Sequence, residues 1–190
     1  MDFAKLHGTG NDFVVIDARS TQHDWSALAK TICDPHFGVG GDGLILAARS
    51  DRAPVRMRIF NADGSEAEMC GNGIRCLGKL VYEQGLTNEK NLIIETLSGN
   101  ISLKLLTKNN KVAKVSATLS APSSVRKISE SKIKVTLGNP HCVVFLNEDV
   151  KTFPVAKYGP LLEKHRLFPQ RTNVEFIRVK NKGAIDMRVW

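Results

Sequence analysis

The sequence predicts an α+β (α/β) chain of two pseudo-repeated halves, residues 1–119 and 120–190, with the second half incomplete. Three observations predict it. Short runs rich in β-branched and aliphatic residues alternate with stretches of helical period. A set of local patterns recurs in the same order about 130 residues later. Between the two sets lies Ser120-Ala121-Pro122-Ser123-Ser124, a small-polar segment with the composition of a linker.

In the first half, Phe3–Leu6 reads as a strand, His7–Asp12 as a loop and Phe13–Asp17 as a second strand. The glycines and the Asn-Asp pair of that loop can present Asn11 to a ligand. Asp24 is placed to cap a helix bearing Trp25, Leu28, Ala29 and Ile32 on one face, stopped near Pro35. Gly38, Gly40 and Gly43 match a dinucleotide-binding GxGxxG literally. A helix precedes them and the strand 44–48 follows, the reverse of the order that fingerprint needs, so a nucleotide site is rejected.

The strand Val55–Phe60 runs into the polar turn Asn61–Met69, which delivers Cys70 to the start of a helix. Ile74, Leu77, Leu80 and Val81 form its apolar face, and Gly85 stands where a C-terminal cap belongs. Unpaired amides and the positive end of the helix dipole meet at such a position, and they favour the thiolate, the reactive form of cysteine. The same amides, with Gly71 and Gly73 allowing close approach, can hold a carboxylate. Strands 92–96, 101–106 and 112–119 complete the half, the last two joined by an Asn109-Asn110 hairpin turn.

After the linker, Lys132 and Lys134 alternate with Ile133, Val135 and Leu137, the pattern of a strand with one wet face. Gly138-Asn139-Pro140-His141-Cys142-Val143-Val144 then echoes Gly10–Val15. A helix over 155–164 is expected to break at Gly159-Pro160. Phe168–Asn173 echoes Phe37–Gly43, and Met187-Arg188-Val189-Trp190 echoes Met57-Arg58-Ile59-Phe60. The first copy of that strand leads to the Cys70 turn, whereas the second ends the sequence. The reading is therefore of a chain cut short, by roughly sixty residues or more if the second copy matches the first.

Composition narrows the function. Net charge is +8 over 190 residues, yet the basic residues are scattered and no aromatics interleave with them, so nucleic acid is not expected as a partner. No apolar run approaches a membrane span of about 18 residues. The four cysteines (33, 70, 76 and 142) show no disulfide or CxxC spacing, consistent with a reducing, cytoplasmic compartment. Cys33 with His36 lacks a second ligand pair, so no metal is expected.

HGTGNDF (7–13), FGVGGDGL (37–44), NADGSEAEMCGNGIRC (61–76), GNPHCV (138–143) and FPQRTN (168–173) together resemble the diaminopimelate epimerase family, across the whole sequence. The resemblance implies two similar halves, each a curved mixed sheet wrapped round a central helix, with the active site between them. It implies a cofactor-independent interconversion of LL- and meso-diaminopimelate for lysine and peptidoglycan precursor synthesis, by a homodimer. One thiolate removes the α-proton and an opposite thiol delivers a new one. On this resemblance Cys70 matches the first thiol, and Gly71 and Asn72 match positions whose amides hold substrate. Asn11, Asn61, Asn139 and Asn173 match its polar contacts, and His141 matches a histidine that helps set thiol protonation.

Two departures stand out. Where the family often has Gln in the glycine loop, this chain has Gly43. The family's Glu-Arg-Gly stretch and second Cys-Gly turn, with the partner thiol, are not in this sequence. The alternatives carried beside the epimerase are an amino-acid-binding fragment without catalysis and a racemase of another amino acid.

Overall fold

The structure, a computed structural model, describes residues 1–119, 121–137, 139–169 and 171–190. Ser120 of the linker, Gly138 of the Gly-Asn-Pro motif and Gln170 of FPQRTN lie outside the described residues. The chain divides into two compact units, Met1–Leu119 and Ser120–Trp190.

The first unit opens with the hairpin β1 (Ala4–Gly8) and β2 (Asn11–Asp17). The expected loop at 7–12 is only two residues long. Thr9 (φ 55°) and Gly10 (φ 96°) make the turn, both in the left-handed region that matches strand twist in a tight hairpin, so His7, Gly8, Asn11 and Asp12 are already strand. Helix α1 (Trp25–Ile32) is capped by Asp24, whose carboxylate accepts from the Ala27 amide at 3.0 Å. Strands β3 (Gly43–Ala48), β4 (Arg56–Asn61) and the short β5 (Glu66–Ala67) lead to α2 (Gly71–Glu83). Strands β6 (Asn91–Thr96), β7 (Gly99–Lys108) and β8 (Lys111–Thr118) follow.

These strands form one sheet in the order β1-β2-β3-β4-β6-β7-β8, with β5 beside β4. The pairs β2–β3 and β4–β6 are parallel and the rest antiparallel. Helix α2 touches both edge strands, β1 and β8, as well as β2, β3, β4 and β7, so the sheet curls round it. Ile74, Leu77 and Val81 are buried there against Phe13, Val15, Ile45, Met57 and Ile59. Gly78 is required by this packing, because a Cβ would meet Leu103 Cδ1 at 2.5 Å. Helix α1 covers the other face, where Trp25 and Ala29 pack on Val14, Ile16, Leu44, Leu46 and Phe60. Strands β2 and β3 are thus buried on both faces, which explains the apolar runs Phe13–Ile16 and Leu44–Ala48.

The second unit is a five-stranded sheet, β13-β12-β11-β10-β9. Its strands are β9 (Ser124–Ser129), β10 (Lys132–Leu137), β11 (Asn139–Phe145), β12 (Asn173–Asn181) and β13 (Ala184–Val189). The parallel pair β11–β12 repeats the register of β2–β3: His141 lies opposite Asn173 as Phe13 lies opposite Gly43. Helix α3 (Val155–Glu163) packs on the face carrying Cys142, Val144, Val174 and Phe176, the counterpart of the α1 face.

Two expectations fail in this unit. Helix α3 is not broken at Gly159-Pro160. It runs on to Glu163, and Gly159 makes room for the Trp190 side chain, which a Cβ would meet at 2.2 Å. Nor does β10 have a wet lysine face, since Lys132–Leu137 are all half-buried and Lys134 Nζ lies 5.4 Å from the Phe168 ring centroid. The β9 strand was not legible, because Ser124–Ser129 is almost wholly exposed and lacks a hydrophobic alternation.

Candidate functional site

Cys70 is the N-cap of α2, extended at φ −137°, ψ 117°. Its Sγ accepts from the Gly73 amide at 3.4 Å, and its carbonyl accepts the first intrahelical bond, from Ile74, at 2.9 Å. The amides of Gly71 and Asn72 precede that bond and belong to the turn whose donors have no intrahelical partner. Gly73 is a correction to the sequence reading. It is buried, and a Cβ would meet Ile45 Cδ1 at 2.7 Å and Met57 Cε at 3.3 Å, so its glycine serves core packing rather than ligand approach. At Gly71 a Cβ would meet only Leu119 Cδ1, at an ordinary 3.5 Å.

The β1–β2 hairpin is docked against this helix start. The Gly8 Cα lies so near that a Cβ would fall 2.9 Å from the Asn72 carbonyl oxygen. Asn72 Nδ2 donates to Asn11 Oδ1 at 2.6 Å, and Asn11 Nδ2 donates to Asp42 Oδ2 at 3.0 Å. Asn72 Oδ1 accepts from Thr9 Oγ1 at 2.9 Å and from Arg75 Nη2 at 2.6 Å. Asp42 also accepts from the Asp12 amide at 3.0 Å. The chain Arg75–Asn72–Asn11–Asp42 therefore fixes two of the expected substrate contacts relative to each other and to Cys70. With the Asn72 side chain so engaged, its backbone amide is the group left for a ligand.

Asn61 ends β4 opposite Gly43, at the same end of the strands as Asn11. Its Nδ2 donates to Ser65 Oγ at 2.9 Å within its own turn. Gly43 itself is explained: a Cβ there would meet the Phe60 carbonyl oxygen at 2.7 Å, so no longer side chain fits without moving β4.

In the second unit, Asn139, His141 and Asn173 come together where β11 and β12 begin. His141 Nε2 lies 3.0 Å from Asn139 Oδ1, and Nδ1 lies 2.7 Å from Glu175 Oε1. Sequence reading missed Thr9, Asp42, Arg75 and Glu175. Asp42 was hidden in the glycine-rich stretch rejected above as a nucleotide site. Glu175 carried a usable signal, a carboxylate on the same face as Asn173 and between the apolar Val174 and Phe176.

The remaining thiols differ from Cys70, which is half-buried. Cys33, Cys76 and Cys142 are buried, and burial pushes each of their thiols above the ordinary value. Among the described residues no group of three or more His, Cys, Asp or Glu could hold a metal ion, and no helix is long and apolar enough to cross a membrane. A cleft of about 600 Å³ lined by Arg19, Thr21, Trp25, Arg49 and Arg58 lies on the α1 side of the sheet and includes none of the candidate site residues.

The sequence matches the family model for diaminopimelate epimerase over residues 3–120 and 133–190. The diaminopimelate epimerase of Moorella thermoacetica is 45% identical over 212 residues, spanning 100% of this chain and 76% of that protein. That of Methanococcus maripaludis is 41% identical over 211 residues, with the same coverage. Two solved structures resemble the chain in fold. A PhzF-family phenazine biosynthesis protein from Bacillus anthracis has a TM-score of 0.71 at 17% identity, covering 100% of this chain and 72% of its own. A hydroxyproline epimerase from Agrobacterium vitis, with trans-4-hydroxy-L-proline bound, has a TM-score of 0.69 at 16% identity, covering 98% and 69%.

Proposed function

Because the chain belongs to the diaminopimelate epimerase family of isomerases, we propose that it interconverts LL- and meso-diaminopimelate with Cys70 as one of two opposed proton-transfer groups. The pathway served is lysine and peptidoglycan precursor synthesis. The observation that carries the reading is the placement of Cys70 Sγ at the start of α2, accepting from the Gly73 amide.

An α-hydrogen beside a carboxylate is very weakly acidic, so both a base and a means of holding the resulting charge are needed. The Cys70 thiolate takes the α-hydrogen: the C–H bond breaks, its electrons stay on the substrate, and an S–H bond forms. A second group on the opposite face returns a proton to carbon, so the configuration inverts with no net change in protons. The growing charge on the substrate carboxylate is met by the amides of Gly71 and Asn72 and by the dipole of α2. A sulfur that gains and loses charge is suited by a hydrogen-bond donor already in place at Gly73.

None of the other cysteines suits the second role. Cys76 follows Cys70 on the same helix, and Cys33, Cys76 and Cys142 are all buried with raised thiols. Asn11 grips a polar end of the substrate, oriented by Asp42 and Asn72. In the second unit Asn139 and Asn173 supply further polar contacts, and His141 assists proton exchange.

Brief alkylation followed by peptide mass spectrometry tests the reading. Iodoacetamide should modify Cys70 first, and saturating diaminopimelate should protect it. Labelling of Cys70 at the same rate with and without diaminopimelate would count against a substrate site at that thiol.

A further inference from the structure

Strands β10-β11-β12-β13 of the second unit repeat the pairing pattern of β1-β2-β3-β4 in the first, with a chemical change on the two central strands. By register, His141 and Glu175 occupy the places of Phe13 and Ile45. Phe13 and Ile45 are 3% and 0% exposed and lie in the main hydrocarbon core. Hydrocarbon therefore satisfies this pair of positions for folding. Replacing it by a hydrogen-bonded imidazole and carboxylate costs desolvation, which a merely structural pair recovers poorly.

The geometry of the pair is specific. His141 Nδ1 is 2.7 Å from Glu175 Oε1, and Nε2 is 3.0 Å from Asn139 Oδ1. An ionised carboxylate only accepts, so the proton on Nδ1 is required whichever way the Asn139 amide is turned. The other carboxylate oxygen of Glu175, Oε2, is buried with no hydrogen-bond partner among the described residues. Besides Asn139 and Asn173, the neighbours across the strands are apolar: Val135 lies opposite His141 on β10, and Val189 lies opposite Glu175 on β13. The next charged side chain on this face is Lys127 of β9, opposite Ile133. Lys132 and the Cys142 thiol lie on the other face. The ring is thus set by one strong partner.

We propose that Glu175 is the positioning residue for His141, holding the proton on Nδ1 so that Nε2, beside Asn139, is the nitrogen that exchanges protons in the epimerase reaction. This rests on the reading that His141 assists proton exchange. Free imidazole carries its proton mainly on Nε2, so the pairing reverses the ordinary preference.

Long-range nitrogen–proton NMR spectra of the uniformly 15N-labelled chain, with His141 assigned through His141→Gln, read the tautomer directly. The expected result is neutral His141 protonated on Nδ1. Protonation on Nε2 in the native chain would overturn the proposal, and that result needs no variant to fold. Glu175→Leu supplies the hydrocarbon that Ile45 provides in the first unit, and should return His141 to the Nε2-protonated form. The same variant should lower the rate of diaminopimelate α-hydrogen exchange about tenfold, with KM within about twofold and an altered pH profile. An unchanged rate and pH profile in Glu175→Leu would also overturn the proposal. Failure of the underlying epimerase reading shows separately, as exchange that survives the loss of Cys70.

Discussion

Asn72 donates its side-chain amide to Asn11 Oδ1 at 2.6 Å, joining the first turn of α2 to the β1–β2 hairpin across 61 residues of sequence. Two side chains that look like independent ligand contacts are in fact one unit. Asp42 holds the far end of it, and Arg75 with Thr9 holds the near end.

That unit yields the first prediction. Asp42→Ala removes the acceptor for Asn11 Nδ2 and for the Asp12 amide, while leaving Cys70 untouched. Losing one orienting hydrogen bond of about 1.4 kcal/mol corresponds to about a tenfold weaker grip on substrate. Steady-state kinetics should show KM for diaminopimelate raised about that much, with the alkylation rate of Cys70 unchanged.

Placing a glutamine at position 43 should not help this chain. Gly43→Gln places a Cβ 2.7 Å from the Phe60 carbonyl oxygen, between two strands that are hydrogen-bonded neighbours. Overpacking of this kind costs about 1–3 kcal/mol. Urea denaturation should show a lower midpoint at unchanged slope. A variant as stable as the parent would mean that β4 yields more readily than its pairing indicates.

The ion pair between Arg58 and Glu66, at 2.7 Å, gives a pH-dependent contribution to stability. Its hydrogen bond from Arg58 holds the Glu66 carboxyl below the ordinary carboxylate value. A lowered folded-state value means stability present above the unfolded value and lost as pH falls through the folded one. Both side chains are about a third exposed, so the effect is worth only about 0.5 kcal/mol. Compared with Glu66→Gln, the native chain should be more stable by about that amount near pH 7. The difference should close in strong acid, where the Glu66 carboxyl is protonated and as uncharged as the glutamine amide.

Much of the fold was legible because period and caps agreed. The Asp24 cap, the Ile74-Leu77-Val81 face and the Asn109-Asn110 turn (φ 51° and 60°) each follow from local chemistry. What failed depended on distant partners. Nothing near Pro160 announces that Trp190 will pack on Gly159 and that the helix will continue past it. Strand β9 gains its place only by pairing with β10. At the site, Cys70 was readable from its place before a helix. The roles of Gly73 and Asp42 were not, because one is set by Ile45 and Met57 and the other by Asn11, far off in sequence.

The most direct measurement is α-hydrogen exchange of diaminopimelate in D2O, followed by proton NMR, for the native chain, Cys70→Ala and Cys76→Ser. Loss of the α-proton signal is expected with the native chain and with Cys76→Ser, and a rate at least about a hundredfold lower with Cys70→Ala. Exchange that persists in Cys70→Ala, or that fails equally in Cys76→Ser, would contradict Cys70 as the thiol that moves the proton.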